Sequence, residues 1–218
     1  VDGLVNLLVA TRPLRRAEWA EVVRVLSPGG VAMVQGARLG DVAALPGVAA
    51  KEVRIGGQTW LKRRKEWPRD IDQWTHYLHD ASGNAVAHDN RVGPPRHIQW
   101  LAEPKRTRDH DALASLSAMT TSNGRLFYIL DEGPTSLIHR PPRWRLIARD
   151  AFSGVLLWKR DIPDWVTHLY YFRSGPTQLP RRLVSVGDRV FVTLGLTAPV
   201  SMLDAATGKT LLAVSYTH

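Results

Sequence analysis

The side chains able to do chemistry gather in two places. The first is the stretch from Glu66 to Trp100, which carries His76, His79, His88 and His97, with Asp80 next to the second of them. Two histidines three residues apart on a helix would face one ion from the same side, as in many zinc sites. The stretch also contains Pro68, Gly83, Gly93, Pro94 and Pro95, and it shows no helical period. Its histidines are interleaved with Asn and Asp, the residues of turns. They are therefore read as turn or surface histidines, and no metal is assigned. The second place is Asp109-His110-Asp111, a compact acid–base cluster, followed by Glu132 in LDEG at the end of an expected strand. The cluster reads as a solvated loop. Glu132 is a candidate to face a central channel. The sequence has no nucleophile elbow of the form G-x-S-x-G and no phosphate loop of the form G-x-x-x-x-G-K-[ST], so no catalytic residue is assigned.

Composition narrows the classes. The chain has 218 residues, 44% of them hydrophobic, which is enough for a substantial core. It has no cysteine, so disulfides and thiolate chemistry are excluded. No window approaches the roughly 18 uncharged apolar residues of a membrane-spanning helix. The net charge of +9 would suit a nucleic-acid partner. Only six of the 29 basic residues are lysine, however, and the arginines are scattered. The single dense run, Lys62-Arg63-Arg64-Lys65, reads as a solvated linker rather than a phosphate patch, and nucleic acid is not the favoured partner. The chain opens at Val1 with no signal-peptide pattern. A piece of a longer protein is expected, and the compartment stays open.

The elements that must position these residues change character near residue 60. VDGLVNLLVA is apolar and rich in β-branched residues, the pattern of a strand buried on both faces. RRAEWAEVVRVL places Ala17, Ala20, Val23 and Leu26 at helical spacing. SPGG stops that helix, since Pro28 cannot continue it and Gly29 and Gly30 accept left-handed backbone. VAMVQG is a second buried strand, giving a parallel crossover. Asp41 to Ala50 is a short helix or a loop, and KEVRI with TWLKRR forms an antiparallel hairpin around Gly56-Gly57.

On these residues, Asp2, Leu4 and Val5 followed by Arg24, Leu26, Pro28, Gly29 and Gly30, the first quarter of the chain resembles the C-terminal half of class I S-adenosylmethionine-dependent methyltransferases. The glycine-rich turn and the acidic strand end that hold the cofactor in that family cannot be placed here. Methyl transfer by this polypeptide alone is therefore not expected. A helix stop in any α/β fold is the alternative reading of PGG.

The last half of the chain repeats itself. DAFSGVLLW at Asp150–Trp158 and DAATGKTLL at Asp204–Leu212 share the form D-A-x-[ST]-G-x-x-L-[WL]. In each, the Asp carboxylate can accept turn amides and the Gly supplies positive φ. NGRLFYIL, WRLIARD and VLLWKRD read as strands around the first turn. GDRVFVTLG, PVSMLD and KTLLAVSY read as strands around the second, with Asn123-Gly124 and Gly187-Asp188 as matching hairpins. Units of three or four short strands at such spacing are propeller blades.

The pattern closely resembles the tryptophan-docking motif of the quinoprotein, or pyrroloquinoline-quinone-type, propellers. WTHYLHDASGNA is similar to the segment that leads into such propellers, with Trp74, Tyr77, Asp80, Gly83, Asn84 and Trp100 in the family's places and RHIQWLAEP as the first strand. The resemblance implies that Asp150 and Gly154, and likewise Asp204 and Gly208, set turns onto which a neighbouring tryptophan wedges. Leu157, Trp158 and Leu211 complete the motif, and Leu212 stands where the family prefers Trp. It also implies that quinone or Ca²⁺ ligands, where a member has them, come from blades this chain does not carry.

The expected fold is thus an α/β fragment, Rossmann-like, over residues 1–60, a linker and lead-in over 61–98, and an incomplete all-β propeller of about two blades over 99–218. The expected role is a non-catalytic scaffold or binding platform, with a protein partner on the propeller face. The competing readings are an enzyme using S-adenosylmethionine or pyrroloquinoline quinone in a longer parent, and a basic nucleic-acid-binding module.

Overall fold

In the computed structural model the described residues are 2–42, 48–94, 97–107, 115–136, 139–166 and 178–214. The chain divides into two compact units, Val1–Asp70 and Ile71–His218.

The first unit holds β1 (Val5–Ala10), α1 (Arg16–Val25), β2 (Leu26–Gln35), a 3-10 turn at Leu39–Val42, β3 (Val48–Ile55) and β4 (Gln58–Lys65). The sheet order is β1-β2-β4-β3. Only β1 and β2 are parallel, while β4 runs antiparallel to both of its neighbours. Helix α1 starts where the Glu18 carboxylate accepts the Arg15 amide at 2.8 Å and the Arg12 guanidinium at 2.7 Å. An acidic group in the first turn also suits the helix dipole. The buried face is Trp19 and Val22, continued by Leu26. The expected stripe through Ala17, Ala20 and Val23 is wrong, because an indole removes far more apolar surface from water than two methyl groups do.

Three further expectations are corrected in this unit. β1 is not buried on both faces: it is an edge strand, with Leu7 60% and Val9 57% exposed. SPGG follows the end of the helix as expected, but it lies inside β2 as a bulge rather than ahead of the strand, since Val5 pairs with Leu26 and the next partner, Leu7, pairs with Val31. A Cβ on Gly30 would lie 2.8 Å from the carbonyl oxygens of Val5 and Ser27, so glycine is required there by close backbone approach. The basic run is not a solvated linker. It forms the end of β4, where Arg63 is fully buried with its guanidinium 5.2 Å from the Trp19 ring centroid. Arg64 donates to the Gly29 carbonyl at 3.3 Å. Lys65 Nζ donates to the Val23 and Leu26 carbonyls at 2.8 and 2.6 Å. A lysine on the last carbonyls of a helix satisfies orphan acceptors.

The α/β, Rossmann-like fold class is overturned. Among the described residues there is one α-helix against twelve strands in three four-stranded sheets. An α/β layer needs repeated strand–helix–strand crossovers. Here a single crossover is followed directly by the β3–β4 hairpin, whose β4 takes the place beside β2.

The second unit begins with a lead-in, residues 71–107, that forms no regular strand among its described residues; the described part of the expected strand RHIQWLAEP, residues 97–104, is therefore not a strand. Two antiparallel sheets follow. The first is β5 (Leu116–Ser122), β6 (Arg125–Asp131), β7 (Trp144–Asp150) and β8 (Leu156–Asp161), in that order. The second is β9 (Leu183–Val186), β10 (Arg189–Thr193), β11 (Val200–Asp204) and β12 (Thr210–Ala213), again in order. Phe127, Ile129, Leu146 and Ala148 of the first sheet share one buried cluster with Leu183, Val190, Val192 and Leu203 of the second. Neither sheet buries its apolar face alone, and facing each other they form one core.

Candidate functional site

Two constellations stand out, and the repeated turn is the first. Asp150 Oδ1 accepts the amides of Phe152 and Ser153 at 3.1 and 2.7 Å and the Ser153 hydroxyl at 2.8 Å. Asp204 Oδ1 does the same with Ala206, Thr207 and the Thr207 hydroxyl at 3.1, 2.9 and 2.8 Å. The Thr207 hydroxyl, followed by these amides, holds the Asp204 carboxyl below its ordinary value. Gly154 and Gly208 close the turns at φ +72° and +70°.

Each turn receives an indole from earlier in the chain. Trp158 Nε1 donates to the Ala205 carbonyl at 3.0 Å, and a Cβ on Gly208 would stand 2.6 Å from Trp158 Cδ2. Trp100 Nε1 donates to the Ala151 carbonyl at 3.2 Å, and a Cβ on Gly154 would stand 2.5 Å from Trp100 Cδ2. Glycine is needed twice over, for positive φ and because the ring lies flat against the backbone. Trp158 also packs on Phe127, with ring centroids 6.0 Å apart. Leu157, Leu211 and Leu212 are exposed at 40%, 47% and 57%.

Sequence reasoning missed the arginines that lock the joints. Arg149 is buried, and it donates to Tyr128 Oη at 2.8 Å, to the Gly154 carbonyl at 2.8 Å and to the Glu103 carbonyl at 2.9 Å. It thereby ties turn, sheet and lead-in together. Arg160 donates to the Gly208 carbonyl at 2.7 Å. Arg125 pairs with Asp188 at 2.8 Å between the two sheets. Arg145 and Arg149 in WRLIARD and Arg160 in WKRD were the available signal, but charge on a strand reads by default as a solvated face.

The second constellation is the histidine-rich lead-in. His76 and His79 face each other across a one-bridge hairpin, with the His76 amide donating to the His79 carbonyl at 3.1 Å. His79 is 4% exposed and adopts φ +71°, unusual for a residue with a Cβ. Its ring is gripped on both sides: Nε2 lies 2.7 Å from Asp72 Oδ2 and Nδ1 lies 3.1 Å from Asp80 Oδ2. Two carboxylate partners require two N–H donors, hence an imidazolium. The Asp72 hydrogen bond, opposed by burial and reinforced by Asp80, raises the His79 pKa. Burial works to raise Asp72, but hydrogen bonds from the His88 amide, the His79 ring and the Gln73 amide outweigh it and leave that carboxyl below its ordinary value. Trp74 and His88 meet the His79 ring edge-on at 5.3 and 5.2 Å. Thus His79 is a buried charge held in a salt-bridge network, not a surface histidine. Asp72, its closest partner, was not singled out from the sequence.

The knot fastens the lead-in across both sheets. The Trp74 amide donates to Thr121 Oγ1 at 2.8 Å, and the Thr121 amide returns to the Trp74 carbonyl at 2.7 Å. The Ser185 amide donates to the Thr75 carbonyl at 2.9 Å. Thr121 belongs to β5 and Ser185 to β9. Tyr77, Gly83 and Asn84 lie on the outer side of this lead-in.

Neither constellation suits the groups the resemblance implies. Among the described residues no set of three or more His, Cys, Asp or Glu side chains is arranged to hold a metal ion. Glu132 lines a cavity with Gly133, Pro134 and Arg143, but its carboxylate is already paired: Lys159 donates to Oε1, and Arg145 Nε lies 3.3 Å from Oε2. It does not fit a Ca²⁺ ligand beside a quinone. Asp109-His110-Asp111 and His218 lie outside the described residues, and His97 is exposed. No helix among the described residues is long and apolar enough to cross a membrane. Comparison of the sequence with protein-family models and with curated proteins found no match.

Proposed function

We propose that residues 71–214 are two consecutive blades of a quinoprotein-like β-propeller repeat protein acting as a non-catalytic binding platform. The observation that supports this most is the paired docking of Trp100 on Gly154 and of Trp158 on Gly208, each through the same indole-to-alanine-carbonyl hydrogen bond. A blade that cannot bury both faces alone needs such joints. The binding-platform role, rather than catalysis, is favoured because the acidic groups of the two constellations, and Glu132, serve internal bonds: Asp150 and Asp204 in turns, Asp72 and Asp80 around His79, and Glu132 in ion pairs. No activity is assigned to the first unit.

The test is native-state amide exchange on the full chain and on Trp158→Ala. The joint reading expects amides of β9–β12 to lose protection far more than those of β5–β8, because the second sheet loses its anchor. Equal protection in both proteins would overturn it.

A further inference from the structure

A cleft of about 370 Å³ opens beside the histidine knot, lined by His76, Tyr77, Asp80 and Ser82 of the lead-in and by Arg181 and Val184 of the second sheet's approach. That is the small end of the range of clefts that hold small ligands, roughly 300–1,000 Å³. Its floor is prepositioned. The His76–His79 hairpin is bridged, Asp80 Oδ1 accepts the Ser82 amide and hydroxyl at 2.8 and 2.6 Å, and His79 is clamped from both sides.

We propose that this cleft binds a neutral polyhydroxylated ligand, a mono- or disaccharide. The charges in and under it balance. Asp72 and Asp80 are offset by the His79 imidazolium and the Arg181 guanidinium, so a net ion gains no field there. The groups left for a ligand are mixed donors and acceptors on opposite walls. Arg181 is exposed, and among the described residues its guanidinium has no carboxylate partner. His76 uses Nδ1 on Thr75 Oγ1 at 2.8 Å, which leaves Nε2 for a ligand. Asp80 Oδ1 is filled by the Ser82 amide and hydroxyl, while Oδ2, which meets only His79 Nδ1, keeps a second lone pair. Tyr77 is 43% exposed and supplies a flat ring beside these polar groups. A ring whose face is apolar and whose edge is hydroxylated matches an aromatic surface bordered by a guanidinium, a carboxylate and an imidazole. This deepens the binding-platform reading and rests on it for the role, while the cleft's chemistry is tested separately.

The experiment is saturation-transfer NMR on the full chain with maltose, cellobiose and N-acetylglucosamine as probes, and with acetate as the anionic control. At least one saccharide should receive saturation. Its affinity should fall about tenfold, the equivalent of about 1.4 kcal/mol, in both Tyr77→Ala and Arg181→Ala, and Tyr77→Phe should retain most of it. Both side chains are exposed, so the thermal midpoint of each variant should match that of the parent. No transfer to any saccharide, transfer that persists in both alanine variants, or Arg181-dependent binding of acetate alone would each overturn the inference. The saccharide test uses the parent chain and surface variants with Trp158 in place, and the exchange test needs no ligand, so failure of the saccharide test with the joint behaving as expected removes only this proposal.

Discussion

At the residue scale the glycines and the histidine carry different kinds of demand. Gly208 and Gly187 both sit at positive φ, +70° and +57°. Only Gly208 has an indole in the way; a Cβ on Gly187 meets nothing within 4 Å. Gly187→Ala should therefore cost about 1 kcal/mol, the left-handed backbone penalty. Gly208→Ala should cost at least about 3 kcal/mol, since the ring must be displaced as well. Combining Gly208→Ala with Trp158→Ala should cost less than the sum of the two, because the clash is then already gone. Urea unfolding of the four proteins measures this, and additivity within about 0.5 kcal/mol would contradict the contact.

His79 makes a pH prediction. Its folded pKa is raised, so its contribution is complete below the unfolded value and is lost as pH rises through the folded one. Asp72 and Asp80 are lowered, so theirs is complete above the unfolded carboxylate value and is lost as pH falls through the folded one. The knot is fully formed between about pH 4 and about pH 6.5. Exchange of the Thr121 and Ser185 amides, corrected for intrinsic rate, should be slowest in that window and should quicken on the alkaline side as the imidazolium deprotonates. A pH-independent protection factor would contradict it.

At the element scale the strands were more legible than their burial. Alternation in NGRLFYIL marked β6, the repeated order marked PVSMLD as β11, and the short polar turns marked the hairpins. β5, LSAMTTS, and β9, LVSV, were missed because Ser and Thr inside a strand look like a loop until another sheet covers them. The basic run at the end of β4 shows the same limit. A charged quartet reads as solvated, yet Lys65 closes the end of α1 and burial pushes its ammonium below the ordinary value. Lys65→Met should destabilise the first unit by about 1–3 kcal/mol, the cost of leaving buried carbonyls without a donor. Affinity for duplex DNA should be weak and unchanged by the substitution. A steep fall in DNA binding with salt would instead revive the nucleic-acid reading.

At the scale of the whole molecule the questions are which cofactor chemistry it supports and how its sheets are joined. Addition of pyrroloquinoline quinone with Ca²⁺ to the full chain should give no bound-cofactor absorbance and no dye-linked oxidation of alcohols, since among the described residues no His, Asp or Glu side chains are grouped to hold the metal. S-adenosylmethionine should show no heat of binding in calorimetry. A saturable signal in either assay would replace the scaffold reading with an enzymatic one.

The residue order alone determined the two acidic–glycine turns, the β-hairpins, the single crossover and the absence of disulfide chemistry. These depend on local rules: a carboxylate that reaches its own turn's amides, a glycine that accepts positive φ, and an apolar period. Tertiary structure decided what each charge is for. Whether Arg149 reaches the Glu103 carbonyl and Lys65 the end of α1 depends on segments tens of residues away, and a side chain's own neighbours in sequence carry no record of them. The carboxylates of His79 lie only one and seven residues away, yet the fold of the lead-in is what turns both onto its ring. The same holds for the mostly-β class of the first unit, which was set by β4 pairing beside β2 rather than by the apolar pattern of either strand.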